Sequence, residues 1–146
     1  MFRLPKAVLL APFMFAPQLS LADTTAPDTA TKTLSVELNA AETVENSCKV
    51  TFVITNSLGG AIDKLVYEAV LFDTFGKVDR LTLFNFGSLP ENRARVRQLV
   101  VPGTQCDGLG RVLFNGANAC EGASVDPAAC DAGLKPSSRT AIEVLG

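Results

Sequence analysis

The chain has no histidine and no tryptophan, and only one tyrosine. Its two methionines are Met1 and Met14. Each absence removes a chemistry. Without histidine, the usual general base near neutral pH is missing, and so is the commonest zinc and copper ligand. With no methionine beyond position 14, a copper-carrying role also lacks its ligands. The 4 cysteines contain no C-x2-C pair, which argues against a zinc site made of thiolates. No apolar run reaches the roughly 20 residues a membrane helix needs. Charge of one sign is lacking too. The 13 basic and 15 acidic residues leave a formal charge of −2, which offers little to nucleic acid or an anionic membrane.

What is present begins with an export pattern. Arg3 and Lys6 precede an apolar run at residues 7–15 that contains Pro12, and Ser20-Leu21-Ala22 supplies small residues at −3 and −1. This reads as a signal peptide over residues 1–22, cleaved between Ala22 and Asp23. The predicted localisation is therefore periplasmic or secreted. Cleavage removes two basic residues and no acidic one, taking the formal charge from −2 to −4. Residues 23–32 (DTTAPDTATK) are small, polar and interrupted by proline, as in a flexible linker. Residues 33–146 are then a single domain, of a size that holds one modest core.

Within that domain the side chains alternate with a period of two. Leu34, Val36 and Leu38 alternate with polar residues, and so do Cys48, Val50, Phe52 and Ile54, with Val53 the one exception. Leu65, Tyr67, Ala69 and Leu71 form a third inward set over residues 64–73. Asp73-Thr74-Phe75-Gly76 predicts a tight turn, with the aspartate bonding the backbone ahead of it. Further strands are expected over 78–86, 93–101, 110–114 (closed by Asn115-Gly116) and 140–145, with a short helix over 126–133 that has Asp126 as its N-cap, Pro127 at its first position and Gly133 as its terminator. Seven short strands with turn signals between them predict an all-β, immunoglobulin-like antiparallel β-sandwich.

An even cysteine count in an exported chain predicts two disulfides. With strands alternating up and down, Cys48 and Cys106 fall at one end of the sandwich. Cys120 and Cys130 fall at the other, between the last two strands. Cys106 and Cys120 flank a strand, which separates them by more than the about 7 Å a disulfide allows. The expected pairs are Cys48 with Cys106 and Cys120 with Cys130. The nine residues between Cys120 and Cys130 suit a structural bond rather than a redox couple.

Ala69-Val70-Leu71-Phe72-Asp73, the following Gly76-Lys77-Val78, and Leu89-Pro90 leading into an arginine-rich strand resemble the FxLYD type of extracellular immunoglobulin-like domain. The resemblance covers residues 48–101 at most. Ala69 stands where that family has phenylalanine, and Phe72 where it has tyrosine. The mature chain as a whole resembles a family of small exported alphaproteobacterial proteins that carry a twin-arginine signal. Here Arg3 lacks an adjacent arginine, which points to the general secretory route instead. The resemblance implies a fold and a compartment and brings no catalytic residues with it.

Candidate sites are few. Arg93, Arg95 and Arg97 recur at every second position, so on a strand they share a face. They form either a docking surface for an acidic partner or for phosphate or carboxylate groups, which guanidinium grips in a bidentate manner, or a solvated outer face, partly paired with Glu or Asp of a neighbouring strand, that protects a sheet edge. Leu81, Leu83, Phe84 and Phe86 are apolar on both sides of their strand: either one side is an exposed patch that binds a partner, or, as expected, the second sheet buries one side and the C-terminal segment the other. Ser137 and Ser138 sit near Lys135 without a hydrolase motif. Glu68 and Asp73 fall on opposite faces and do not converge. No catalytic residue, metal ligand or cofactor is assigned. The function expected is a non-catalytic periplasmic interaction module that binds another envelope protein. The alternative is a structural subunit that completes another chain's sheet by strand addition. A histidine-free hydrolase is the remote third.

Overall fold

The structure is a computed structural model and describes residues 31–146. The signal peptide, its cleavage site and all but the end of the linker lie outside the described residues. Eight strands form: β1 (Thr33–Val44), β2 (Ser47–Ser57), β3 (Ile62–Asp73), β4 (Val78–Leu89), β5 (Arg95–Pro102), β6 (Leu109–Glu121), β7 (Leu134–Ser138) and β8 (Glu143–Leu145). One 3-10 turn covers Cys106–Gly108, and one helix, α1, spans Ala129–Ala132.

The strands make two four-stranded sheets, ordered β5-β2-β1-β7 and β4-β3-β6-β8. Alternation explains why two layers are needed. Leu34, Val36 and Leu38 of β1, and Cys48, Val50, Phe52 and Ile54 of β2, are fully buried on one face of the first sheet. Leu65, Tyr67, Ala69 and Leu71 of β3 are fully buried on the facing side of the second. Fully burying a side chain of this size stabilises by about 1.5–3 kcal/mol. An aromatic cluster fills the interface: Phe52 meets Phe86 edge-on at 5.3 Å, and Phe114 meets Tyr67 at 5.0 Å. Such tilted and edge-on contacts suit the ring quadrupoles.

The expected antiparallel seven-strand arrangement needs correction. Among the described residues there are eight strands, and β1 with β7 and β6 with β8 are parallel pairs. Residues 140–145 are not one strand. Only Glu143–Leu145 is extended, and an additional strand precedes it at Leu134–Ser138. Pro136 is tolerated there because β7 is an edge strand, where a missing N–H is harmless. Asn115-Gly116 does not close a turn. β6 runs through it to Glu121, and the pairing with β3 slips by one residue between Glu68 and Ala69. The extra residue is absorbed as a bulge. The short helix is a single turn at Ala129–Ala132, with Ala128 at its N-cap rather than Asp126. The Asp126 carboxylate instead accepts a bond from the Ala128 N–H, 2.9 Å away.

Both disulfides are present. Cys48 of β2 joins Cys106 in the 3-10 turn, and Cys120 joins Cys130. The last two cysteines do not both lie in a loop as expected: Cys120 is on β6 and Cys130 is on α1. The Tyr67 hydroxyl donates to the Cys130 carbonyl, so β3, β6 and α1 are fastened at one point. Burial, and secondarily the Asp131 carboxylate, pushes the Tyr67 phenol above its ordinary range.

Candidate functional site

The two sheets present two edges side by side, β4 from one and β5 from the other. The turn before β4 forms as its sequence requires. The Asp73 carboxylate accepts from the Phe75 and Lys77 N–H groups, each at 2.9 Å, and Gly76 takes φ +80°. The turn leaves Phe75 95% exposed at its tip. From there β4 runs along the edge of its sheet with Phe84 and Phe86 inward and Leu81 and Leu83 outward. Leu81 and Leu83 are 59% and 56% exposed, so the expectation that both sides of this strand are buried is overturned. The C-terminal segment does not reach them, because it ends as β8 on the opposite edge of the sheet. Leu81 faces Val70, Val70 faces Leu113, and Leu113 faces Leu145, which makes one apolar row across the outer surface.

β5 begins at Arg95, not at residue 93. The chain first passes through Asn92, whose φ is +56°, and a single bridge ties Glu91 to Asn56. Arg93 therefore lies before the strand and is exposed. Arg95 and Arg97 do share a side of β5, and that side is the inner one, in phase with Leu99 and Val101, which pack on the core. The outward residues are Val96 and Val100, 58% and 61% exposed, with Gln98 between them.

Arg97 crosses to the other sheet. Its Nε donates to the Phe86 carbonyl and its Nη2 to the Ser88 carbonyl, both at 2.7 Å. Arg80 makes the reverse crossing from β4. It donates to the Pro102 carbonyl at 2.6 Å and to the Thr104 hydroxyl at 2.9 Å, while its Nε pairs with Asp79. Two guanidinium straps thus join the paired edges. A groove of about 160 Å³ opens beside the Arg80 strap, lined by Thr82, Leu83, Phe84, Leu99 and Val101. Among the described residues, Arg93, Arg95 and Arg97 have no carboxylate partner within ion-pair distance. The protective pairing with a neighbouring strand's carboxylates, one of the two expectations for this run, is not what holds Arg97.

Arg80 carries no signal in the sequence, since its partners lie 22 and 24 residues further on. Asn56 reads as part of a turn, yet it is the only buried polar residue among the described ones. Its amide donates to the Gly60 and Leu89 carbonyls at 2.8 and 3.1 Å, and its carbonyl oxygen accepts from the Leu58 N–H at 3.1 Å. Its main-chain carbonyl accepts from the Asn92 N–H at 2.7 Å. Asn56 therefore fixes the loop that delivers Arg93 and Arg95.

The remaining polar candidates are held apart. Asp73 is engaged in its turn, and Glu68 accepts from the Asn115 amide at 2.6 Å beside a shallow hollow of about 170 Å³. Ser137 and Ser138 lie on β7, and the Ser138 hydroxyl bonds Thr140. Among the described residues no three His, Cys, Asp or Glu side chains gather closely enough to hold a metal ion. Among the same residues no helix is long and apolar enough to cross a membrane. No family model, curated protein or solved structure matches the chain.

Proposed function

We propose that this chain is a non-catalytic interaction module of the periplasm or the extracellular space, which binds another envelope protein through its β4–β5 side. The observation that carries the reading is the combination found there. Apolar residues that the core does not use border this paired edge, Leu81 and Leu83 on the outer face of one sheet and Val96 and Val100 on the outer face of the other. Arg93, Arg95 and Arg97, which have no carboxylate partner among the described residues, lie along the edge between them. Exposed apolar surface beside unpaired charge is characteristic of a surface that meets a partner. The export pattern and the two disulfides support an oxidising compartment. An immunoglobulin-like relationship is part of the proposal. Its support is the order β5-β2-β1 stacked on β4-β3-β6, with β3 and β6 adjacent though distant in sequence. The parallel β6–β8 pair departs from that pattern.

The test is site-specific photocrosslinking in living cells from positions Val96 and Leu83, with Lys135 on the far edge as control. One partner that forms adducts from the first two positions and not from the third supports the reading. Absence of any adduct, or saturable turnover by the purified protein, overturns it.

A further inference from the structure

We propose that the free edge of β5 accepts an extended strand from the partner, and that this strand alternates apolar residues and carries carboxylates at the end that lies beside Arg93 and Arg95. The inference rests on the interaction-module reading above and names the chemistry of the partner.

Four observations converge on β5. It is the last strand of its sheet, and its eight-residue register with β2 runs from Ile54↔Arg95 to Ser47↔Pro102 without a shift. No bulge twists this edge away, and its only proline is the terminal Pro102. At about 3.4 Å per residue the strand is roughly 27 Å long; its Val96 and Pro102 carbonyls accept from Arg97 and Arg80, so the stretch between them is the part open to a partner. Secondly, Val96 and Val100 are more than half exposed because no strand covers their outer flank. A strand laid beside β5 supplies the cross-strand neighbours they lack. Thirdly, on the inner side the groove reaches the core at Leu71 and Phe84. Its volume of about 160 Å³ is close to that of an engineered apolar cavity, about 150 Å³, that takes benzene. The inward side chains of an added strand have a place to go.

The fourth observation selects the partner. Inward-pointing charge normally keeps an edge from pairing with whatever strand it meets. Arg95 lies on the inner side of β5, Arg93 lies just before it, and neither has a carboxylate partner among the described residues. A neutral or basic strand leaves these cations uncompensated, whereas glutamate or aspartate at that end pairs with them. A second copy of this chain fits poorly, because β5 contains no carboxylate of its own. An antiparallel arrangement, matching that of β2 beside β5, puts the acidic end of the partner strand at its C-terminus.

The probe is a synthetic ten-residue peptide of alternating valine and threonine that ends in two glutamates, titrated into the 15N-labelled protein secreted from its full-length gene. The expected result is saturable shifts of backbone amides along β5, at Val96 to Val100. Affinity should fall by roughly five- to tenfold in Arg93→Glu/Arg95→Glu. Binding should be abolished in Val96→Lys/Val100→Lys, which alters only exposed side chains. The lysine-ended version of the peptide should bind at least as weakly to the wild type as the acidic one does to the charge-reversed variant. Four results overturn the proposal: no saturation by about millimolar peptide, shifts centred on the outer row of the other sheet, equal affinity for acidic and basic peptides, or a protein dimer joined through β5. Photocrosslinking separates this failure from failure of the broader reading. A partner trapped from Leu83 but not from Val96 refutes the β5 strand and spares the module, while no partner from either position refutes both.

Discussion

Replacing Asn56 by leucine removes a fully buried polar side chain and puts an apolar one of similar branching in its place. The loss can be worked from its bonds. The Gly60 and Leu89 carbonyls and the Leu58 N–H all lose a partner in a position that is fully buried. Each orphaned buried group costs about 1–3 kcal/mol, and leucine recovers part of that through apolar contact. A net loss of about 4 kcal/mol is expected, a large share of the roughly 5–15 kcal/mol that holds a domain of this size together. Urea unfolding of the oxidised protein measures it. With a slope of about 2 kcal/mol/M, the midpoint should fall by about 2 M. Amide exchange at Asn92, whose N–H is bonded to the Asn56 main-chain carbonyl, should quicken in the same variant as the loop before β5 loosens. A midpoint shift below about 0.5 M with unchanged slope would mean that solvent reaches these groups at little cost, and the reasoning would fail.

Three further perturbations follow from the same geometry. Arg97→Ala removes both bonds to the β4 carbonyls and should lower stability by about 1–2 kcal/mol in thermal unfolding. Arg97→Lys should restore less than half of this, because an ammonium lacks the planar fork that spans two carbonyls; full rescue by lysine would show that charge alone matters. Tyr67→Phe should cost about 1 kcal/mol through loss of the bond to Cys130. Since the folded phenol is pushed above its ordinary value near 10, the stability it confers is complete below that pH and is lost as pH rises through the shifted range. Absorbance of this single tyrosine should therefore show little phenolate at about pH 11 while the fold persists, and ionisation near pH 10 in the folded state contradicts the burial argument. Removing Cys48–Cys106, with a separation of 58 residues, should cost about 4 kcal/mol, and removing Cys120–Cys130, with a separation of 10, about 3 kcal/mol, by loop-closure entropy. The reverse order in calorimetry would refute the entropic account.

The readable parts of this sequence are those where one rule acts alone. β2 alternates with Val53 as its one apolar exception, and Cys48, Val50, Phe52 and Ile54 are all fully buried. The disulfides were also within reach, because the end of the sandwich at which each cysteine falls limits its partners. β7 was not, since Lys135, Pro136 and the two serines show neither period nor β-propensity, and its pairing with β1 depends on a strand about a hundred residues earlier. Asn115-Gly116 shows how a local signal loses to its context: the strong pairing of β3 with β6 on both sides of the dipeptide turns a turn signal into a bulge. The arginine run was legible as a shared face but not as an inner one. Alternation gives which residues go together, and only the opposing sheet decides which set points inward.

Arg97 can occupy an inner position because β5 and β4 are both edges. Between two central strands an inward guanidinium would be buried among apolar side chains, at a cost of several kcal/mol. At the open side it meets the unpaired carbonyls of the opposite strand, which are themselves in need of donors. Arg80 solves the same problem from the other direction, so each sheet contributes one strap to the other. Between the straps β4 turns Thr82 and Phe84 inward and β5 turns Leu99 inward, and these side chains line the groove without a polar bond across it. The groove is thus a consequence of closing the sandwich with two long side chains instead of a continuous ladder, and the backbone left unpaired beside it is what a further strand can use.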